Sequence, residues 1–333
     1  MAVITVKNLQ KRFNLEAGFF ARFGRFVYAV NGVSFSIGKN ESYGLVGESG
    51  CGKTTTARLL VRMYESDGGT ILFQDTTDVN ALKSGELKKY REKVKYVFQD
   101  PARSLDPRMT IYEVLVSGYR RSSRWPGEKR GRKEAEAIME EVGLGKADLE
   151  RRPAEFSGGQ RQRISIARGL LMSPDLLICD EVVSALDVSI QGQILNLLLD
   201  IRSRRNLSFL FIAHDLKVAG YFCDRIGVMY RGELMEEAPA GDLFRTALHP
   251  YTRLLFSAVI GAAVEVPSGA GELKKAVTLL AGCAFADRCP LAEDRCFREH
   301  PELRDLSGSS GEQDPGNPGE SHHPHRVRCF KVG

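Results

Sequence analysis

The rest of the chain answers to one stretch, Gly47-Glu48-Ser49-Gly50-Cys51-Gly52-Lys53-Thr54, which fits G-x-x-x-x-G-K-[ST] at every fixed position. Its glycines let the backbone turn tightly and bring N–H groups onto a β-phosphate. Lys53 can reach the β- and γ-phosphates, and the Thr54 hydroxyl suits Mg²⁺. The flanks agree. Ser42 to Val46 reads as a buried strand, and TTARLLVRM, from Thr55 to Met63, reads as a helix offering an anion its positive end. An accidental glycine-rich turn would lack both. The nucleotide set is therefore Gly47, Glu48, Ser49, Gly50, Cys51, Gly52, Lys53, Thr54 and Thr55.

A length of 333 residues accommodates one large domain and a smaller one. Hydrophobic content of 43% and charged content of 27% describe a globular protein, and a net charge of +5 does not by itself suggest a nucleic-acid partner. No apolar run approaches the roughly 20 residues of a membrane span. The start, MAVITVKNLQKRF, lacks the apolar core of a secretory signal, so the chain is expected in the cytosol unless a partner holds it elsewhere. In that compartment disulfides are not expected, and Cys51 and Cys179 read as small packed residues.

The first 40 residues look mainly β, with strands at Val3–Val6 and Val33–Ile37. Between them Leu15 to Tyr28, rich in Phe and Arg, reads as a surface loop packing aromatics on the domain rather than as a membrane-surface segment. Phe13 or Tyr28 could stack on an adenine. Further strands are expected at Thr70–Phe73 and Val94–Phe98, and residues 102–156 read as mostly helical. The basic run Arg120–Lys133, with the lone Trp125, lacks interleaved aromatics and reads as a solvated face or partner contact. A helix is expected over Arg161–Leu171, a doubly buried strand over Leu176–Cys179 and a helix over Ile190–Arg202. A strand over Ser208–Ala213 and a hairpin around Arg231-Gly232 follow. Beyond about residue 238 the composition shifts, and Ser307–His325 is rich in Ser, Gly, Pro and His.

Four apolar strands each end in a group that nucleotide chemistry uses: the phosphate loop after Val46, Gln99 after Phe98, Asp180-Glu181 after Cys179, and His214 after Ala213. In an open α/β sheet, ligands bind outside the carboxyl ends of the strands. Asp180 can then hold Mg²⁺ through water, with Thr54 and Gln99 beside it, and Glu181 can act as general base on the attacking water. Gln99 can orient the water and metal, and His214 can hydrogen-bond the γ-phosphate; alone, His214 could equally be a core histidine. Ser157-Gly158-Gly159-Gln160 opens a helix with two glycines and a serine, a second anion site in one chain. An intermolecular sandwich accounts for the surplus: ATP on one chain's phosphate loop is closed over by the SGGQ turn of another.

The phosphate loop, Gln99, FSGGQ, LLICDE, SALD and His214 resemble, in order and spacing across roughly residues 1–240, the ATPase subunits of ABC transporters. The resemblance implies a mostly parallel α/β core of RecA-like kind with an antiparallel β subdomain and a helical subdomain near residues 100–165. It makes Ser157–Gln160 the signature motif, Asp187 part of the loop between subunits, His214 the switch histidine, and Phe13 rather than Tyr28 the adenine-stacking aromatic. QDPARSLDPRMT, DVSIQGQILNLL, VMYRGELME and HPYTRLL are similar to the oligopeptide/dipeptide importers, and this chain resembles the second of their two ATPase subunits. Val182 stands where that family usually has proline, and Phe156 where leucine is commoner; neither removes a catalytic group.

That branch implies a C-terminal extension over 241–333 carrying Cys283, Cys289, Cys296 and Cys329. Four thiolates suit an iron–sulfur cluster or Zn²⁺, and their spacing is neither a ferredoxin run nor a zinc-finger pair. The resemblance favours [4Fe–4S]; free thiols are the plain alternative. It also implies a second ATPase subunit, identical or different, two transmembrane permease subunits and, indirectly, an extracytoplasmic solute-binding protein, with no nucleic acid. The place is the cytoplasmic face of the membrane and the cargo peptides, or alternatively a nickel complex, glutathione or an oligosaccharide. A soluble ABC ATPase would more often carry two cassettes or a coiled-coil insertion, and a sensor with vestigial ATP binding sits badly with intact Lys53, Asp180 and Glu181.

Overall fold

The structure, a computed structural model, describes residues 1–14, 26–260, 281–306 and 323–332. Its strands are β1 (Ala2–Asn14), β2 (Phe26–Gly38), β3 (Ser42–Val46), β4 (Gly68–Phe73), β5 (Thr77–Asp78), β6 (Val94–Val97), β7 (Leu176–Asp180), β8 (Ser208–Ala213), β9 (Arg225–Tyr230), β10 (Glu233–Pro239), β11 (Arg304–Asp305) and β12 (Arg326–Val327). Among them run the helices α1 (Lys53–Leu60), α2 (Ser84–Lys93), α3 (Pro101–Ser104), α4 (Ile111–Tyr119), α5 (Glu128–Glu141) and α6 (Gly158–Leu170). The later helices are α7 (Val188–Arg205), α8 (Leu216–Phe222), α9 (Ala240–Arg245), α10 (Pro250–Ile260) and α11 (Asp294–Arg298).

A small sheet of order β2-β1-β4-β5 is antiparallel throughout. The large sheet has the order β11-β12-β10-β9-β3-β8-β7-β6, and its run from β9 to β6 is parallel. On β8, Phe209 and Phe211 pack toward the helical side while Leu210 and Ile212 pack toward the small sheet. On β7, Leu177 and Cys179 divide from Leu176 and Ile178 in the same way. That is why both strands read as unbroken apolar runs: successive side chains point to opposite faces, and both faces are covered. The fold class is the α/β architecture expected.

Several boundaries moved for local reasons. The helix expected over Thr55–Met63 starts at Lys53, because Gly52 takes a left-handed conformation (φ 111°) immediately before it. It ends at Leu60, where Arg62 turns left-handed (φ 53°) and the Met63 N–H reaches back to the Arg58 carbonyl at 2.9 Å, a Schellman-type stop. Phe26 to Tyr28, assigned above to a surface loop, are the first residues of β2, where Arg12 pairs with Tyr28 and Phe13 with Val27. The rest of that loop, 15–25, lies outside the described residues, as do 261–280 and most of the stretch from Ser307 to His325. The helical stretch 102–156 is divided into α3, α4, α5 and short 3₁₀ turns, and a Thr110–Glu113 capping box starts α4. The hairpin tip at Arg231-Gly232 has φ of 44° and 85°, as a tight two-residue turn between right-twisted strands requires.

Three of the seven basic residues in the run near Trp125 are paired: Arg120 with Glu128, Arg130 with Glu134, and Arg132 with Glu136 and Glu150. Trp125 itself stands edge-on to Tyr119, ring centroids 5.2 Å apart. The end of the chain joins the large sheet: β12 pairs with β10, matching Val327 to Glu236 and Arg326 to Glu237. None of the described helices is long and apolar enough to cross a membrane.

Candidate functional site

The parallel strands β3, β8, β7 and β6 lie side by side, so their carboxyl ends line one edge of the sheet. The phosphate loop leaves β3 and wraps into α1. Gly47 (φ 150°) and Gly52 (φ 111°) cannot be replaced without collision: a Cβ there would lie 2.2 Å from the Met229 carbonyl oxygen and 2.1 Å from that of Ala29. Both approaches are to backbone, which has no rotamer to yield. Ser49 and Gly50 form the exposed crest; Cys51 is packed beneath it, and burial pushes its thiol up. Lys53 is buried, its Nζ donating to the carbonyls of Gly47 at 2.7 Å and Glu48 at 3.1 Å. Thr54 and Thr55, in the first turn of α1, are half-buried.

The two neighbouring acids serve separate clusters. Asp180 is buried at the end of β7, accepting from the Thr54 hydroxyl at 2.9 Å and the Tyr96 hydroxyl at 2.5 Å. Burial, then the adjacent Asp180 charge, holds the Tyr96 phenol well above its ordinary value, so it stays a donor. Glu181 takes a left-handed backbone (φ 48°), uncommon for a non-glycine residue and found where structure over-determines the turn. Its N–H donates to the Ile212 carbonyl at 3.1 Å, and its own carbonyl accepts from the Ser184 hydroxyl at 2.9 Å. This reversal brings its carboxylate to Gln99, whose Nε2 donates to Oε2 at 2.7 Å, and to His214, whose Nδ1 stands 4.0 Å from the same oxygen. Thr54 with Asp180, and Gln99 with Glu181 and His214, are thus brought into contact, although they come from four different strand ends. Oxygen donors of the kind offered by Thr54, Asp180 and Gln99 match the hard-ligand preference of Mg²⁺.

The Ser157–Gln160 turn, read above as a second anion site, lies at the start of α6 rather than at a strand end. Ser157 caps α6 by a reciprocal box: its hydroxyl accepts from the Gln160 N–H at 3.3 Å, and Gln160 Oε1 accepts from the Ser157 N–H at 2.9 Å. Ser157 is exposed, and Gly159 lies against α7, where a Cβ would come 2.7 Å from Ile190 Cγ2. Asp187 stands at the N-terminus of α7 without a side-chain cap bond, exposed beside Val188, which is 84% exposed. On the small sheet, Phe13 is half-buried, edge-on to Tyr64 at 5.4 Å with Lys11 Nζ 5.5 Å from its ring.

The four late cysteines line one small cavity with His249, Phe285, Leu291 and Pro301. The Cys283 N–H donates to the Cys296 carbonyl at 2.7 Å, tying two of them by backbone. Burial pushes the Cys283 thiol up to about 11 and raises Cys289 as well, while it pushes the neighbouring His249 down to about 4. Soft sulfur donors converging on one cavity suit iron or zinc in chemistry, yet among the described residues no three or more His, Cys, Asp or Glu side chains are set close enough to hold a metal ion.

Sequence reasoning missed Tyr96, Tyr251 and Arg288. Tyr96 could have been suspected from its place two residues before the end of the apolar run that delivers Gln99. Tyr251 lies in the HPYTRLL stretch, and its hydroxyl accepts from the Glu48 N–H at 3.0 Å. Arg288 pairs with the Glu48 carboxylate across 240 residues, for which no local signal exists.

Residues 30–184 match the family model for the ABC transporter, and residues 235–296 match that for the oligopeptide/dipeptide transporter C-terminal region. The chain belongs to the ABC transporter family of ATPase subunits, in the branch carrying that C-terminal region. It is 41% identical over 317 residues to the oligopeptide transport ATP-binding protein AppF of Bacillus subtilis (strain 168), covering 92% of this chain and 95% of that protein. Among solved structures it is similar to the dimeric structure of MJ0796, a bacterial ABC transporter cassette, at a TM-score of 0.63 and 26% identity, covering 71% of this chain and 98% of that one. The fold also matches cbiO1 from Clostridium perfringens, part of the transporter complex cbiONQ, at a TM-score of 0.63 and 24% identity, covering 74% and 92%.

Proposed function

We propose that this chain hydrolyses ATP to energise import of di- or oligopeptides across the cytoplasmic membrane, by closing on a second ATPase subunit. The observation that carries the chemistry is the separation of the two acids: Asp180 engages Thr54, while Glu181 is turned toward Gln99 and His214. The peptide cargo is supported by the relative's name and by the C-terminal region shared with that branch.

In this reading the phosphate loop, Gly47 to Thr55, cradles the nucleotide phosphates, and Lys53 leaves its two carbonyls to meet the β- and γ-oxygens. Phe13 stacks on the adenine. Thr54, Gln99 and Asp180 would hold Mg²⁺, whose charge would offset that on the phosphates. Glu181 accepts the proton of the attacking water, Gln99 orients that water, and His214 donates to the γ-phosphate. The second chain supplies Ser157, Gly158, Gly159 and Gln160 over the γ-phosphate, with Asp187 at the seam. The exposed Ser157 and the exposed Asp187-Val188 pair support a surface meant for another subunit.

We assign 1–240 to the ATPase domain, with the helical part near 100–165, and 241–333 to the extension. Two permease subunits are the membrane partners, with a solute-binding protein acting indirectly, and the place is the cytoplasmic face. Cys283, Cys289, Cys296 and Cys329, which share one cavity but are not set close enough as they stand to hold a metal ion, are the ligands we propose for a [4Fe–4S] cluster. Metal analysis of anaerobically purified protein should find about four irons per chain; a single zinc decides for Zn²⁺, and neither metal leaves four free thiols.

The function is tested with Glu181→Gln. Turnover should fall about 10³-fold while ATP still binds, and the variant should accumulate as a closed ATP-bound dimer with its partner subunit. Turnover at the parental rate would refute Glu181 as base, and transport of no peptide by the assembled complex would refute the cargo.

A further inference from the structure

The phosphate loop is held from outside the ATPase domain, and one residue takes all the holding. Glu48 gives its carbonyl to Lys53, its N–H to the Tyr251 hydroxyl at 3.0 Å, and its carboxylate to Arg288. The last contact is a two-pronged fork, Nη1 to Oε2 at 2.9 Å and Nη2 to Oε1 at 3.0 Å. Such a pair fixes orientation as well as distance. Tyr251 and Arg288 both lie in the segment after residue 240.

Arg288 is itself positioned. It closes the 3₁₀ turn Ala286–Arg288, its N–H donating to the Phe285 carbonyl at 3.0 Å, and its guanidinium lies 5.6 Å from the Tyr230 ring and 5.7 Å from that of Phe285. A second brace runs parallel to it. Arg231, at the β9–β10 tip, donates to the Ala284 carbonyl at 3.1 Å and to Asp287 at 2.9 Å. The adjacent Gly232 N–H donates to the Cys51 carbonyl of the phosphate loop at 2.8 Å. Loop, hairpin tip and extension turn thereby close a ring of contacts, with the phosphate loop as one member.

We propose that Arg288 is a positioning residue for nucleotide binding: through Glu48 it sets the phosphate loop's shape and neutralises a carboxylate carried by the loop that takes the triphosphate. The inference rests on the phosphate loop binding ATP and makes the extension part of the nucleotide site. Both effects act on the bound nucleotide, so the loss belongs in affinity. An unneutralised carboxylate within a few ångströms of a phosphate is repulsive, and a lone glutamate is free to leave the loop's backbone unbraced.

The test is a double-mutant cycle on the full chain, reading the Kd of a fluorescent Mg²⁺–ATP analogue by titration. Arg288→Ala should weaken binding about 10-fold, a loss typical of one charge-assisted pair. Arg288→Lys, which keeps the charge without the fork, should recover part of it. In a Glu48→Gln background the further change to Arg288→Ala should cost less than about 2-fold, because the partner charge is already gone. A merely structural role predicts the opposite, the same loss in both backgrounds, and that result overturns the proposal. So does an Arg288→Ala variant with parental affinity. No binding by the parent chain would instead overturn the ATPase reading on which this one stands.

Discussion

The nucleotide edge of the large sheet and the C-terminal extension are held together by different physics. At the edge, the functional groups sit at the ends of strands, and those after β3, β7 and β8 follow strands buried on both faces, as Leu176–Cys179 and Phe209–Ile212 show. The strands fix the positions, and the polar groups are left to face one another and the solvent. The extension lends Tyr251, Phe256, Ala284 and Phe285 to the apolar core of the ATPase domain, but its hold on β10 is polar. It is fastened to β10 by three buried carboxylates: Glu233 meets His300 at 2.8 Å, Glu236 meets His325 at 2.7 Å, and Glu237, itself held from β9 by Arg225 at 2.5 Å, meets Arg326. A site built on apolar strands tolerates changes to its polar tips. A module fastened by buried charge does not, because removing one partner strands the other in a low dielectric.

The larger way to break this contrast is Arg225→Ala. Arg225 is almost wholly buried between Glu41, at 3.0 Å, and Glu237. Its loss should destabilise the chain by about 3 kcal/mol or more, read as a lowered denaturant midpoint, with the extension becoming protease-sensitive first. A loss within about 0.5 kcal/mol, the level of a surface change, would show that the ladder is not what fastens the extension. The smaller way to sharpen it is Tyr96→Phe at the nucleotide edge. The phenol orients Asp180, and removing one hydrogen bond to a carboxylate costs about 1 to 2 kcal/mol. ATP turnover should therefore fall roughly 10-fold, with the melting temperature nearly unchanged because β6 and β7 stay packed. A large drop in melting temperature would mean that the edge, too, depends on its polar contacts for stability.

Much of the nucleotide edge was legible because its requirements are local. A phosphate loop needs Gly47 and Gly52 where the backbone passes against Met229 and Ala29, and Lys53-Thr54 at the start of a helix. Doubly buried strands announce themselves as apolar runs, so the groups after Val46, Cys179 and Ala213 can be placed on one edge from the sequence alone. Phe26–Tyr28 misled because aromatic and basic residues also suit an exposed strand, and only pairing with β1 distinguishes the two. Tyr96 was hidden inside its own strand pattern.

What the amino-acid order determined by itself was the α/β class, the phosphate cradle, and which strand ends carry Gln99, Asp180, Glu181 and His214, because each depends on spacing within a few residues. What only the tertiary structure decided was who touches whom across long separations: Glu181 turned away from Asp180 toward Gln99, the four cysteines drawn to one cavity, and Arg288 gripping Glu48. Those contacts join segments far apart in the chain, and no residue's immediate neighbours encode its distant partner. The partner is chosen only when the sheet's register and the docking of the extension on β10 bring the two segments together.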